Sequence, residues 1–174
     1  SKKREKVAIR WKRSGKSVKR PKPVGKLIAS DIGITVWKMR RPLAGDNGVQ
    51  LVVDADGRDE LWSSVRVDPT SNFRAGDRIR IGIESPTAGF LYVINSEVSS
   101  DGGFGEPSLI FPTADAKYNS VTAGMLVDIP DQKENYPYFT LRPSRGNYAG
   151  ELVAIIITQA KLDFQLDDKG KILN

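Results

Sequence analysis

The stretch "DADGRDE", Asp54 to Glu60, spaces carboxylates as the start of a calcium loop does, with oxygen ligands alternating around a tight glycine turn. Asp54, Asp56 and Asp59 are the candidate metal ligands. A calcium loop needs a further Glu several residues on, and Glu60 comes too early. The same residues suit a hairpin closed by Asp56 and Gly57, which is the reading turn chemistry favours. Glu84 and Glu151 form a second candidate pair for two-carboxylate acid-base work, although nothing in the sequence brings them together. "SGKS", Ser14 to Ser17, echoes a phosphate loop, but Arg10 stands where the first glycine belongs and no strand-to-helix context follows. "DGGFGE" is glycine-rich without the dinucleotide-binding spacing and reads as a loop. The chain has no His and no Cys. That excludes Ser-His-Asp and Cys-His nucleophiles, imidazole proton transfer and the usual zinc sites. The expectation is a protein that is not an enzyme, with no catalytic residue and no cofactor.

The elements that would position chemistry fall into an arm and a body. Ser1 to Lys26 holds 12 Lys or Arg against the one acid Glu5, a charge of +11, while the remaining 15 basic and 20 acidic residues give −5. Arm and body are electrostatically complementary, which draws the arm toward a body of its own kind. From Lys6 to Lys12 the arm alternates: Val7, Ile9 and Trp11 share one side, and Ala8, Arg10 and Lys12 the other. That is the period of a half-buried strand, which a solvated tail has no need of. Pro21 and Pro23 then exclude helix and favour an extended linker. Fully extended at ~3.3 Å per residue, the arm reaches roughly 85 Å, enough to cross a neighbouring subunit. Burying Val7, Ile9 and Trp11 would contribute roughly 5 to 8 kcal/mol. Val7, Ile9, Arg10, Trp11 and Lys12 are the expected assembly interface.

The 174 residues suffice for one core with extensions. The expected division is an arm over 1–26, a β-sandwich over 27–160 and a C-terminal strand or tail over 161–174. Short apolar runs recur with turn residues between them, from "IGITVWKMRRP" to "GELVAIIIT", and no window carries a helical stripe. The pattern predicts an all-β fold, a single antiparallel sandwich of immunoglobulin-like or Greek-key type. In "GDRIRIGIESP", Ile79, Ile81 and Ile83 share one face while Arg78 and Arg80 share the other, solvated or paired with acids. "FLYVI" and "LVAIIIT" are unbroken apolar runs and read as central strands covered on both faces. Trp11, Trp37 and Trp62 read as core or interface anchors in preference to base-stacking platforms. Leu162, Phe164 and Leu166 alternate in the tail, as an edge strand or an exchangeable segment would. No run of about eighteen apolar residues is present, so no membrane-spanning helix is expected. The chain opens on Ser1 where a nascent chain has Met, as cleavage of a leader or plain Met removal would leave it.

The ordered string "FRAGDRIRIGIESPTAGFLYVINSE", "GEPSLIFPT", "NSVTAGMLVDIP" and "GELVAIII" resembles a bacterial family of domains of unknown function, the one numbered 4384. The resemblance covers roughly Gly33 to Thr158. It implies an accessory module of the kind joined to protease-like, caspase-like or kinase modules, with no catalytic residues to carry over.

The leading expectation is a secreted or cell-surface bacterial subunit that polymerises with itself, its arm adding a strand to the next subunit's sheet. Two alternatives stand beside it. The arm could grip nucleic acid or an anionic surface polymer, or the domain could regulate a separate protease or kinase.

Overall fold

The computed structural model describes residues 31–47, 50–55, 58–113, 118–131, 137–167 and 170–173, with the backbone alone described for 50–55 and 58–59. The expected interface residues Val7, Ile9, Arg10, Trp11 and Lys12 lie outside the described residues.

Among the described residues there is no helix and there are ten strands: β1 (Gly33–Arg40), β2 (Gln50–Ala55), β3 (Arg58–Val67), β4 (Arg78–Glu84), β5 (Gly89–Ser99), β6 (Ser108–Phe111), β7 (Ser120–Val121), β8 (Leu126–Ile129), β9 (Phe139–Thr140) and β10 (Tyr148–Thr158). They form two sheets in which every pairing is antiparallel. The first runs β2-β3-β1-β4-β8, with β9 also on β4; the second runs β10-β5-β6, with β7 also on β5.

The alternation of β4 sets the layering. Ile81 and Ile83 point inward and meet Leu91 and Val93 of β5, with Val121 and Ile129 completing a core of residues at most 4% exposed. Each such side chain contributes about 1.5 to 3 kcal/mol by leaving water. Gly89 is required where β5 begins, because a Cβ there would run into the carbonyl oxygen of Thr158 at the end of β10.

The two unbroken apolar runs end in different places. β5 is central, flanked by β10 on one side and by β6 and β7 on the other. Contrary to the sequence reading, β10 is an edge strand of the described sheet. The opposite edge, β6, is met by the C-terminal segment, where Leu109 N–H donates to Gly170 O at 3.0 Å and Ile172 N–H to Pro107 O at 3.0 Å. Phe164 packs edge-on against Tyr92 with centroids 5.3 Å apart.

Candidate functional site

β10 carries its apolar residues at period two on the inward face, where Val153, Ile155 and Ile157 pack against the core. Register with β5 pairs Ile157 with Leu91, Ile155 with Val93 and Val153 with Asn95, so the inward row passes from core to polar surroundings along the strand. Glu151 continues that row and is opposite Glu97.

Between this face and the first sheet the packing is incomplete. A cleft of about 460 Å³ is lined by Ile34 and Val36 of β1, Ile79 and Ile81 of β4, and Val153 and Ile155 of β10, with the 69–73 segment over it. A second cavity of about 200 Å³ shares Ile79, Ile81, Leu141, Glu151 and Val153 with the first. Protein interiors normally leave few voids larger than one water, ~30 Å³ each. This one is large enough for several side chains.

Its polar end is acidic. Burial pushes the Glu151 carboxyl above its ordinary range, and the neighbouring Glu97 adds to that, while hydrogen bonds from Asn95 and Tyr148 oppose it. Asn95 Nδ2–H donates to Glu151 Oε2 at 3.0 Å. Tyr148 is pushed up to about 12, by burial first and then by the Glu151 charge. Glu97 in turn accepts from Ser144 N–H at 2.8 Å and Ser144 Oγ–H at 2.6 Å. The arrangement offers an apolar slot with carboxylates at one end. It suits an extended apolar segment that carries a cation.

The outer face of the first sheet holds a different cluster. Trp62 has Arg78 over its ring at 4.2 Å and Arg41 at 4.5 Å, and Arg78 also lies 4.6 Å from the Tyr138 ring. Glu60 takes Arg41 Nη2 at 2.5 Å and Trp62 Nε1 at 3.2 Å. Arg80 is 4% exposed and reaches Asp128 at 3.0 Å. The pairing with acids agrees with the sequence reading, but the solvated face does not: the buried Tyr138 lies against Arg78 there, and Arg80 is covered. Among the described residues Arg78 Nη1 and Arg80 Nε have no hydrogen-bond partner, although Arg78 Nη1 lies 3.8 Å from Glu60 Oε2. Neither arginine borders the cleft, so the cluster is read as structural.

The other sequence candidates divide as follows. The backbone pairs Asp54 with Asp59 and Ala55 with Arg58, the antiparallel register expected of a hairpin; the Asp54 and Asp59 side chains and all of Asp56 and Gly57 lie outside the described residues. Among the described residues no group of three or more His, Cys, Asp or Glu gathers as a metal site. Glu84 lies five residues along β4 from the Ile79 that shares the cleft with Glu151, so the structure does not bring that carboxylate pair together. Trp37 is half-buried on β1, opposite Arg66 and Arg80. The "DGGFGE" segment joins β5 to β6 as a loop, with Asp101 accepting from Ser99 Oγ–H and Gly103 N–H. No described helix is long and apolar enough to cross a membrane. The residues that sequence reasoning missed are Asn95 and Tyr148 as partners of Glu151. The available signal was Glu151 itself, a carboxylate in the same period-two row as three core residues.

Comparison with protein-family models, curated proteins and solved structures finds no match for this chain.

Proposed function

We propose that this chain is a non-enzymatic structural subunit that assembles with copies of itself, its N-terminal arm adding a β-strand to a neighbour's sheet. In this reading the two sheets are the layers of an immunoglobulin-like Greek-key sandwich, and the polymer is bacterial and extracellular or on the cell surface. One observation carries the proposal. β10, the most continuously apolar strand, has no partner on its outer edge among the described residues and borders a cleft lined in part by apolar residues of both sheets. Long apolar edges are what strand addition uses, and natural proteins blunt them when they are to stay single. The complementary charges of arm and body add attraction at a distance.

Deleting Ser1 to Lys26 tests the proposal. The full chain is expected to sediment as an oligomer or fibre and the truncated chain as a folded monomer; unchanged assembly after truncation refutes it. The arm's charge of +11 favours a second reading, in which the arm binds nucleic acid or another polyanion. That binding would weaken steeply with salt through counterion release. Strand addition, driven by apolar burial and backbone pairing, is expected to persist at 0.5 M salt, a condition of about one-half molar under which screening extends only a few ångströms.

A further inference from the structure

The proposal of strand addition leaves the acceptor, the strand direction and the register open, and the inward row of β10 fixes all three. Resting on that proposal, we infer that the acceptor is the outer edge of β10 and that Lys6 to Arg13 of a second copy docks antiparallel to it, with Val7 opposite Ile157, Ile9 opposite Ile155, Trp11 opposite Val153 and Arg13 opposite Glu151.

The inference follows from matching two period-two patterns. On β10 the inward row reads Glu151, Val153, Ile155, Ile157. On the arm the row that contains the apolar residues reads Glu5, Val7, Ile9, Trp11, Arg13. A strand that extends the second sheet must direct its apolar row into the same cleft, because a one-residue slip turns every side chain to the other face. Two alignments superpose three apolar residues on three. The parallel one sets Glu5 against Glu151, adding a carboxylate where Glu97 already faces Glu151. The antiparallel one sets Arg13 there instead, and cross-strand pairs of opposite charge are favoured where like charges are not.

Volume agrees with charge. Antiparallel docking brings Trp11, the largest side chain of the arm, to Val153, which borders both cavities. Parallel docking would put it at Ile157, which borders neither described cavity and already lies against the filled core. On the outer side, Arg10 and Lys12 fall opposite Ala154 and Leu152, where they remain in water. At β6 the other edge of the same sheet is met by the chain's own C-terminal segment, and β7 is only two residues long, so among the described residues β10 is the long edge to extend. A second copy is the donor because the linker "KSVKRPKPVGK" is both cationic and proline-bearing, a composition that extends a chain and carries the segment away from its own body.

The absence of Cys permits a direct test with the full-length chain. A tagged chain carrying Val7→Cys is mixed with an untagged chain carrying Ile157→Cys under mild oxidation, and in parallel with one carrying Val153→Cys. The expected result is a covalent dimer of the two different chains with Ile157→Cys and none with Val153→Cys. Crosslinking to Val153→Cys instead overturns the antiparallel register. A chain carrying both Val7→Cys and Ile157→Cys that closes only on itself overturns the second copy as donor. Failure of every pair while assembly still requires residues 1–26 overturns β10 as acceptor and leaves the self-assembly proposal standing. Assembly that does not require residues 1–26 removes both. A charge exchange guards against a cysteine variant that misfolds. Arg13→Glu and Glu151→Arg are each expected to raise the assembly midpoint concentration about threefold to tenfold, and the double variant to recover most of it; no recovery overturns the Arg13–Glu151 pairing.

Discussion

A guanidinium enclosed by the protein is expensive unless its donors are satisfied, and Arg80 meets that condition only in part. Asp128 Oδ2 lies 3.0 Å from Nη2, while among the described residues Nε has no hydrogen-bond partner and the residue is 4% exposed. Removing one member of such a pair strands the other charge, whereas replacing the cation by an apolar group of similar length removes the burial cost altogether. Asp128→Ala is therefore expected to destabilise the fold by about 3 kcal/mol, the low end for a buried pair because Asp128 still reaches water. Arg80→Met is expected to stay within about 1 kcal/mol of the wild type or to stabilise it. Urea unfolding of the two variants checks both values, and equal losses would contradict this account. The sequence shows Arg78 and Arg80 opposite the isoleucines of β4, which is correct. It does not show that Tyr138 lies against Arg78 on that face, because a period-two pattern assigns sides and says nothing about what lies over them.

At the level of elements, β10 is the informative strand. Its unbroken apolar run resembles β5 in sequence, yet β5 has neighbours on both sides and β10 on one. Composition reports burial, and two different neighbourhoods satisfy it: a central position in one sheet, or an edge that another strand completes. Leu152, 40% exposed on the outward side, allows the edge to be probed without disturbing the core. In the proposed register it faces Lys12. Leu152→Lys is expected to weaken assembly about threefold and Leu152→Glu to strengthen it by a similar factor, with the stability of the truncated monomer unchanged within about 0.5 kcal/mol. Light scattering across a concentration series reads the two shifts, and shifts of the same sign would count against the register. The hairpin β2-β3 is the opposite case, for its turn residues Asp56 and Gly57 announce the connection and the backbone register agrees.

For the molecule as a whole, acid stability follows from how its carboxylates are held. Arg40 grips Asp46 through two bonds of 2.6 Å, and Leu43 N–H and Ser63 Oγ–H add one each at 2.9 Å, which together hold that carboxyl far below its ordinary range. Arg41 lowers Glu60 in the same way. Burial pushes Asp77 up, but Lys38 and the Arg74 amide outweigh it and the net shift is down. A carboxyl depressed in the folded state contributes stability above its unfolded pKa, ~4, and loses it as the pH falls toward the folded value. Glu151 has the opposite sign: its stability is present in acid and is lost as the pH rises through its raised value. The depressed group outnumbers it, so the thermal midpoint is expected to fall progressively below about pH 4. A midpoint that holds or rises between pH 4 and pH 2, in differential scanning calorimetry over about that interval, would show that these ion pairs do not govern the fold.

The chain's own alternation determined the strands, the inward isoleucines of β4 and the absence of helical periodicity, because each of these is set by side-chain spacing over a few residues. It also determined the contrast between a cationic arm and an acidic body. Which strand stands at the edge, what lies against the arginines, and where a cleft opens between the sheets were decided only by tertiary structure. Those properties depend on contacts between segments tens of residues apart, such as Tyr92 with Leu162 or Asn95 with Glu151, and no local pattern encodes them.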